Sequence, residues 1–265
     1  MSASSIQQLR ILLAEPSEVQ RKVISRQLNE AGVSDVAGVG TVAEALQAIE
    51  RSKPDLVASA MYFADGTAHD LINSLQQHQL HTSTQFMLVS SEWRQDQLEQ
   101  LKQSGIVAIL PKPFTSEQLQ RAVSATVDLM EPETLTLEHL DIEDLRVLIV
   151  DDSVTSRHYL MRVLQNMGVD HVVEAEDGMQ AVEILDQQRF DLIVTDFNMP
   201  EMNGRDLADK VRENPHHAHT PILMVTARAN APQLANIKQS GIDALTDKPF
   251  EPAVLRQLLT RILEP

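Results

Sequence analysis

Five polar residues spread over nearly one hundred positions have the right types to do chemistry together: Asp151, Asp152, Asp196, Thr226 and Lys248. Each lies at or just beyond the end of a short apolar run, "RVLIV", "DLIVT", "PILMV" or "DALT". In an open parallel sheet the C-terminal strand ends share one edge, and ligands bind in the crevice there. Three carboxylates gathered on that edge repel one another unless a cation sits among them. All-oxygen ligation favours Mg²⁺, which accepts phosphate oxygens as further ligands. A carboxylate beside Mg²⁺, a lysine and a hydroxyl makes a phosphoryl acceptor, with the metal, Lys248 and Thr226 stabilising charge on the transferred group. Any single strand-end aspartate has a plainer explanation as a helix cap. Asp152 or Ser153 suits that role, but capping does not bring all five positions together.

The elements that must position these residues are written twice. "LRVLIVDDS" at Leu145–Ser153 echoes "LRILLAEPS" at Leu9–Ser17, and "QSGIDALTDKPF" echoes "QSGIVAILPKPF", at a constant offset of 136 residues. A period this long marks a duplicated domain. In the second copy the strands are predicted at Arg146–Val150, His171–Ala175, Asp191–Thr195, Pro221–Val225 and Asp243–Thr246. Helices are predicted after Ser153, and from near Met179, Arg205, Ala231 and Glu251. The first copy repeats the plan with "RILLA", "DVAGV", "DLVAS", "FMLVS" and "VAIL". Continuous apolar strands alternating with helices predict an α/β fold: two flavodoxin-like (βα)5 doubly wound parallel-sheet domains with strand order 2-1-3-4-5. The expected domains are 1–130 and 145–265. Between them, residues 131–144 form an acidic linker whose Leu135, Leu137, Leu140 and Ile142 allow it to dock on a domain or extend a helix.

Composition narrows the function. The formal net charge of −16 is spread as −4 over 1–130, −6 over 131–144 and −6 over 145–265. No segment offers a basic footprint, which argues against nucleic acid as a partner. No apolar run reaches the roughly 20 residues of a membrane span, and the first residues lack a signal-peptide pattern. With no cysteine there is neither a disulfide framework nor a thiolate metal site. A cytoplasmic protein is the expectation.

Residues 145–265 resemble a receiver domain of a bacterial response regulator, similar in style to the single-domain chemotaxis receivers. The motifs are "VDDS", "VTDFNMPEMNG", "ILMVTA" and "DKPF". The resemblance implies that Asp196 accepts the phosphoryl group, and that Asp151, Asp152, Asp196 and the main-chain carbonyl of Asn198 surround Mg²⁺. It implies that Thr226 and Lys248 bind phosphoryl oxygens, with Ala227 small enough to admit them, and that Pro200 and Gly204 shape the loop after the acceptor strand. In the family, side chains two places beyond the acceptor and the threonine modulate acyl-phosphate lifetime, and the resemblance puts Asn198 and Arg228 there. One departure concerns the switch position, often aromatic in the family: here it is Leu245, so coupling through an aromatic rotamer cannot run in that form.

The first half resembles the same family with its site dismantled. Glu15, Pro16 and Ala60 stand where the acids of the second copy stand, and Tyr62 replaces Asn198, while Glu15, Ser90 and Lys112 remain as polar counterparts. Ala60 cannot accept a phosphoryl group. Tyr62, Phe63 and Trp93 fall in loops around this site and either fill the vacated pocket or form a contact surface. Two other signals are discounted. "GVGTVA" at Gly38–Ala43, with Asp55 beyond, matches a dinucleotide fingerprint but follows the wrong strand. His216, His217 and His219 sit in "NPHHAHTP", read as a solvated loop rather than a metal site.

The expectation is therefore a two-component response regulator. Its C-terminal receiver takes a phosphoryl group from a phosphohistidine on a sensor histidine kinase or phosphotransfer domain and signals to a downstream protein target, with a homodimer also compatible. It is not expected to be an enzyme beyond its own phosphorylation and dephosphorylation. The alternatives are a phosphate sink, a phosphorylation-independent adaptor scaffold, and a Mg²⁺-dependent phosphohydrolase. The last ordinarily needs a second carboxylate at position 198, which is Asn.

Overall fold

Each half of the chain builds its own five-stranded parallel sheet. The computed structural model describes residues 3–77, 84–91, 101–131, 133–227 and 241–264. Contacts divide the chain into two units, one formed by Met1–Leu101 and Ile106–Met130 and the other by Lys102–Gly105 and Glu131–Pro265.

In the first unit a short helix α1 (Ala3–Gln8) precedes β1 (Arg10–Ala14), α2 (Glu18–Glu30), β2 (Asp35–Val39), α3 (Val42–Ser52) and β3 (Leu56–Ser59). A two-stranded hairpin follows, β4 (Tyr62–Phe63) and β5 (Gly66–Thr67), then α4 (Ala68–Gln77), β6 (Gln85–Ser90), β7 (Ala108–Pro111) and α5 (Ser116–Met130). The sheet runs β2-β1-β3-β6-β7, all parallel. In order of position this is the expected 2-1-3-4-5. The hairpin was not anticipated: Gly66 has φ +159, and it returns the chain so that Thr67 and Asp70 can cap α4.

The second unit contains β8 (Arg146–Val150), α6 (Val154–Asn166), β9 (His171–Ala175), α7 (Gly178–Gln187), β10 (Leu192–Asp196), α8 (Gly204–Glu213), β11 (Ile222–Thr226), β12 (Ala244–Asp247) and α9 (Pro252–Leu263). Its sheet runs β12-β11-β10-β8-β9, the same order seen from the other side. β10 and β11 are buried along their whole length, as parallel strands covered on both faces must be. A core of Leu148, Val150, Ile193, Leu207, Val211 and Ile222 fills one side of the sheet. Ser153, Asp177 and Asn203 cap α6, α7 and α8 through their side chains, each fixing where a strand-end loop becomes helix. The helix expected near Ala231 lies outside the described residues.

The acidic segment after α5 docks rather than hangs free. Leu135 and Ile142 are buried, Leu135 N donates to Met167 O at 2.8 Å, and Glu133 pairs with Arg256 at 2.7 Å. Gly168 (φ +97) turns the chain beneath it: a Cβ there would lie 3.0 Å from Thr134 Cγ2 and 3.2 Å from Ile142 Cγ2. The segment is therefore part of the second unit. Among the described residues no helix is long and apolar enough to cross a membrane.

Candidate functional site

The C-terminal edge of the second sheet gathers the five predicted residues. Asp151 and Asp152 follow β8 directly, Asp196 ends β10, Thr226 ends β11, and Lys248 follows β12. Parallel register aligns Asp196 with Val225 and Thr226 with Asp247, and Lys248 N donates to Thr226 O at 2.7 Å. Each side chain is thus carried by a separate strand end, and the hydrogen-bonded ladder sets their spacing.

Asp151 is wholly buried and saturated with donors. Its Oδ1 accepts from Ser153 N at 2.9 Å, and its Oδ2 accepts from Ser156 Oγ at 2.6 Å and from Lys248 Nζ at 2.5 Å. Its main-chain carbonyl accepts from Arg157 Nη1 at 2.7 Å, while Arg157 Nε pairs with Glu174 at 2.9 Å. Asp196 is also fully buried; its Oδ1 lies 3.5 Å from Lys248 Nζ and accepts no hydrogen bond. Burial pushes its carboxyl up to about 6; Lys248 opposes the shift and the Asp151 charge adds to it. Asp152 keeps contact with solvent, yet partial desolvation and then Asp151 raise its carboxyl too.

These residues fit a hard divalent cation. One oxygen from each of Asp151, Asp152 and Asp196 lies within 4.8 Å of the others, the donor set is all carboxylate, and one lysine leaves the three acids with an uncompensated charge. Asp196 Oδ1 is a buried acceptor without a hydrogen-bond donor, and Lys248 Nζ stands off from it at 3.5 Å. Behind it, Gly204 at the start of α8 comes so close that a Cβ would sit 2.1 Å from Asp196 O, so only glycine fits there. Ala227 is buried, Asn198 is exposed, and Leu245 is half-buried within β12.

Ser156 and Arg157 were missed by motif reading because they lie inside α6 rather than at a strand end. For Arg157 a signal existed: its counterpart at the repeat offset is Arg21, whose Nη1 donates to Glu15 O at 2.9 Å. For Ser156 there was none, since the corresponding residue is Gln20.

The first sheet carries the reduced version. Glu15 is buried, with Oε1 accepting from Ser17 N at 3.0 Å and Oε2 2.6 Å from Lys112 Nζ. Ala60 and Ser90 are buried beside the strand ends, and Pro16 is exposed. One acid and one lysine neutralise each other, so nothing in this pair calls for a metal. Tyr62 is exposed and Phe63 packs on the core; Trp93 lies outside the described residues, as does Arg228. The dinucleotide reading of Gly38–Ala43 falls away, because the Arg21 side chain covers both Gly38 and Gly40 and Asp55 is engaged by Arg10 at 2.9 Å. The histidine tract also differs from expectation. His217 is buried, not solvated, and its Nε2 lies 3.1 Å from Leu185 O in a structural role.

Comparison with known proteins points to one family for both halves. The family model described as "Response regulator receiver domain" matches residues 11–124 and again 147–260. Chemotaxis protein CheY-3 of Vibrio cholerae is 38% identical over 122 residues, covering 46% of this chain and 94% of that protein. Chemotaxis protein CheY of Pseudomonas aeruginosa is 39% identical over 120 residues, covering 45% of this chain and 97% of that protein. Among solved structures, chemotaxis protein CheY4 of Vibrio cholerae is 36% identical, covers 44% of this chain and 98% of its own, and superposes with a TM-score of 0.43.

Proposed function

The chain belongs to the response regulator receiver family in both of its halves, and from that premise we propose that the second half is the working receiver, with Asp196 as the phosphoryl acceptor. The single observation that carries this reading is the state of Asp196. It is a buried carboxylate with an unpartnered oxygen, raised pKa and a lysine 3.5 Å away, at the end of a central strand.

In this reading an Asp196 oxygen attacks phosphorus, forming an O–P bond as the donor's P–N or P–O bond breaks and its electron pair leaves with the donor. Phosphohistidine on a sensor kinase or phosphotransfer domain is the natural donor class, and acetyl phosphate is a small-molecule substitute. Asp151, Asp152, Asp196 and the main-chain carbonyl of Asn198 would hold Mg²⁺, which, when bound, neutralises the acid cluster and draws charge from the phosphoryl oxygens. Lys248 and Thr226 take the remaining oxygens, and the small side chain of Ala227 leaves them room. The chemistry is confined to the protein's own side chain, so the chain acts as a signal carrier rather than an enzyme with an external substrate. Its output is altered binding of a protein partner. The coupling has to differ from an aromatic-rotamer mechanism because Leu245 is aliphatic. The first half, with Ala60 at the acceptor position and a self-neutralised Glu15–Lys112 pair, stays unphosphorylated.

The test is intact-mass analysis after incubation with Mg²⁺ and acetyl phosphate. One added phosphoryl group on the wild type, absent from Asp196→Ala, is the expected result. No addition to the wild type, or an addition that survives Asp196→Ala, overturns the assignment.

A further inference from the structure

Lys248 has two demands on it. In the structure its ammonium is bound to Asp151 Oδ2 at 2.5 Å, yet the reading above requires it to serve the phosphoryl group on Asp196. Moving it would leave a fully buried carboxylate oxygen short of its charge partner, and an unpaired buried charge is costly. Ser156 supplies what is missing. It sits in the first turn of α6, buried, with Oγ 2.6 Å from the same Oδ2 atom.

That turn is built around the Asp151 carboxylate. Ser153 is the N-cap and gives its main-chain N–H to Oδ1, while Ser156, three residues on, gives its hydroxyl to Oδ2. The carboxylate is therefore anchored at both oxygens by one helical turn, with or without the lysine. The first half shows the contrast. Gln20 replaces Ser156, and Glu15 Oε2 has Lys112 as its partner among the described hydrogen bonds. There the acceptor position is Ala60, and the lysine has no phosphoryl group to serve.

We propose that Ser156 is a positioning residue that holds Asp151 in place and releases Lys248 to the phosphoryl group. The inference rests on Asp196 being the acceptor. Ser156 touches neither phosphorus nor the acceptor; it acts through Asp151 and, by relieving it, through Lys248.

The test is the rate of phosphorylation by acetyl phosphate at saturating Mg²⁺, followed by intact mass, for wild type and Ser156→Ala. Loss of a hydrogen bond to a charged group corresponds to about a tenfold slower reaction. Ser156→Thr should recover the rate and Ser156→Val should not; these two shapes match, which keeps the test intact if the alanine variant folds poorly. A structural role alone would not produce epistasis with the lysine. In a Lys248→Ala background, Ser156→Ala should change the residual rate by less than about twofold, since the two act as one unit. The Mg²⁺ affinity of Ser156→Ala, measured by calorimetry, should stay within about threefold of wild type, a smaller change than the rate shows. Wild-type rates in Ser156→Ala, independent effects of the two substitutions, or a Mg²⁺ affinity that falls in step with the rate would each overturn the inference. If the wild type itself gains no phosphoryl group, the acceptor assignment fails. If the wild type gains one and Ser156→Ala gains it equally fast, only the role of Ser156 fails.

Discussion

Replacing Asp196 by Asn should stabilise the metal-free protein at neutral pH, although it removes the central residue of the site. The charged form of Asp196 is disfavoured by burial and by Asp151, and its carboxyl is pushed up from 3.8 to about 6. A folded-state pKa above the unfolded one means the native state holds the proton more tightly. The stability contributed by the protonated form is complete below the unfolded value and is lost as pH rises through the folded one. At pH 7.5 the charged side chain therefore costs the native state about 3 kcal/mol, and at pH 5 about half of that. Asn keeps the shape and removes the charge. In EDTA, calorimetry should show the second unit melting on the order of 10 °C higher in Asp196→Asn than in wild type at pH 7.5. The gap should narrow towards pH 5, and Mg²⁺ should raise the wild-type transition more than that of the variant. A variant that melts below wild type in EDTA, or a gap that widens on acidification, would refute the reasoning.

Other perturbations read different parts of the structure. Lys248→Ala removes the cation from a buried pair and should lower metal-free stability by about 3 kcal/mol, with Mg²⁺ restoring part of the loss in thermal melts. Gly204→Ala places a methyl group against Asp196 O, where the available gap is 2.1 Å; α8 must shift, and both the melting temperature and the acetyl phosphate reaction should fall. Leu135→Ala should cost about 2–3 kcal/mol if the acidic segment is truly part of the second core, and calorimetry should assign that loss to the second unit's transition. Ala60→Asp should not make the first half an acceptor, because Pro16 offers no second acid, and intact mass should still record a single added group.

Much of this was legible because chemistry and fold were written by the same residues. The apolar runs ending in Asp151, Asp196 and Thr226 are both the buried strands and the carriers of the site, so predicting one placed the other. Observed strands begin and end within one residue of those read from the sequence. What escaped depended on side-chain reach across the fold. Ser156 lies on a helix, and nothing in its spacing says that it faces a strand-end carboxylate. The β4–β5 hairpin has strands of two residues, too short for periodicity to register. His217 looked solvated in a polar loop, and only packing between α7 and the loop before β11 shows why it is buried.

The duplication separates what the fold needs from what the site needs. Arg10–Asp55 and Arg146–Asp191 tie the same strand starts in both halves. Ser59 and Thr195 donate to the carbonyls of Ala60 and Asp196, and Arg21 and Arg157 to those of Glu15 and Asp151. The lysine–acid pair also survives in both, at 2.6 Å and 2.5 Å. A feature kept in a half without an acceptor is sufficiently explained by folding, so none of these contacts by itself argues for phosphoryl chemistry. The remainder does: Asp152, Asp196 and Ser156, present only in the second half. They turn a neutral ion pair into a cluster with two uncompensated negative charges and a second donor on Asp151. Such a cluster is unfavourable until a cation arrives and useful once it does. On this ground Mg²⁺ is expected to raise the melting temperature of the second half and to leave that of the first, already neutral, unchanged.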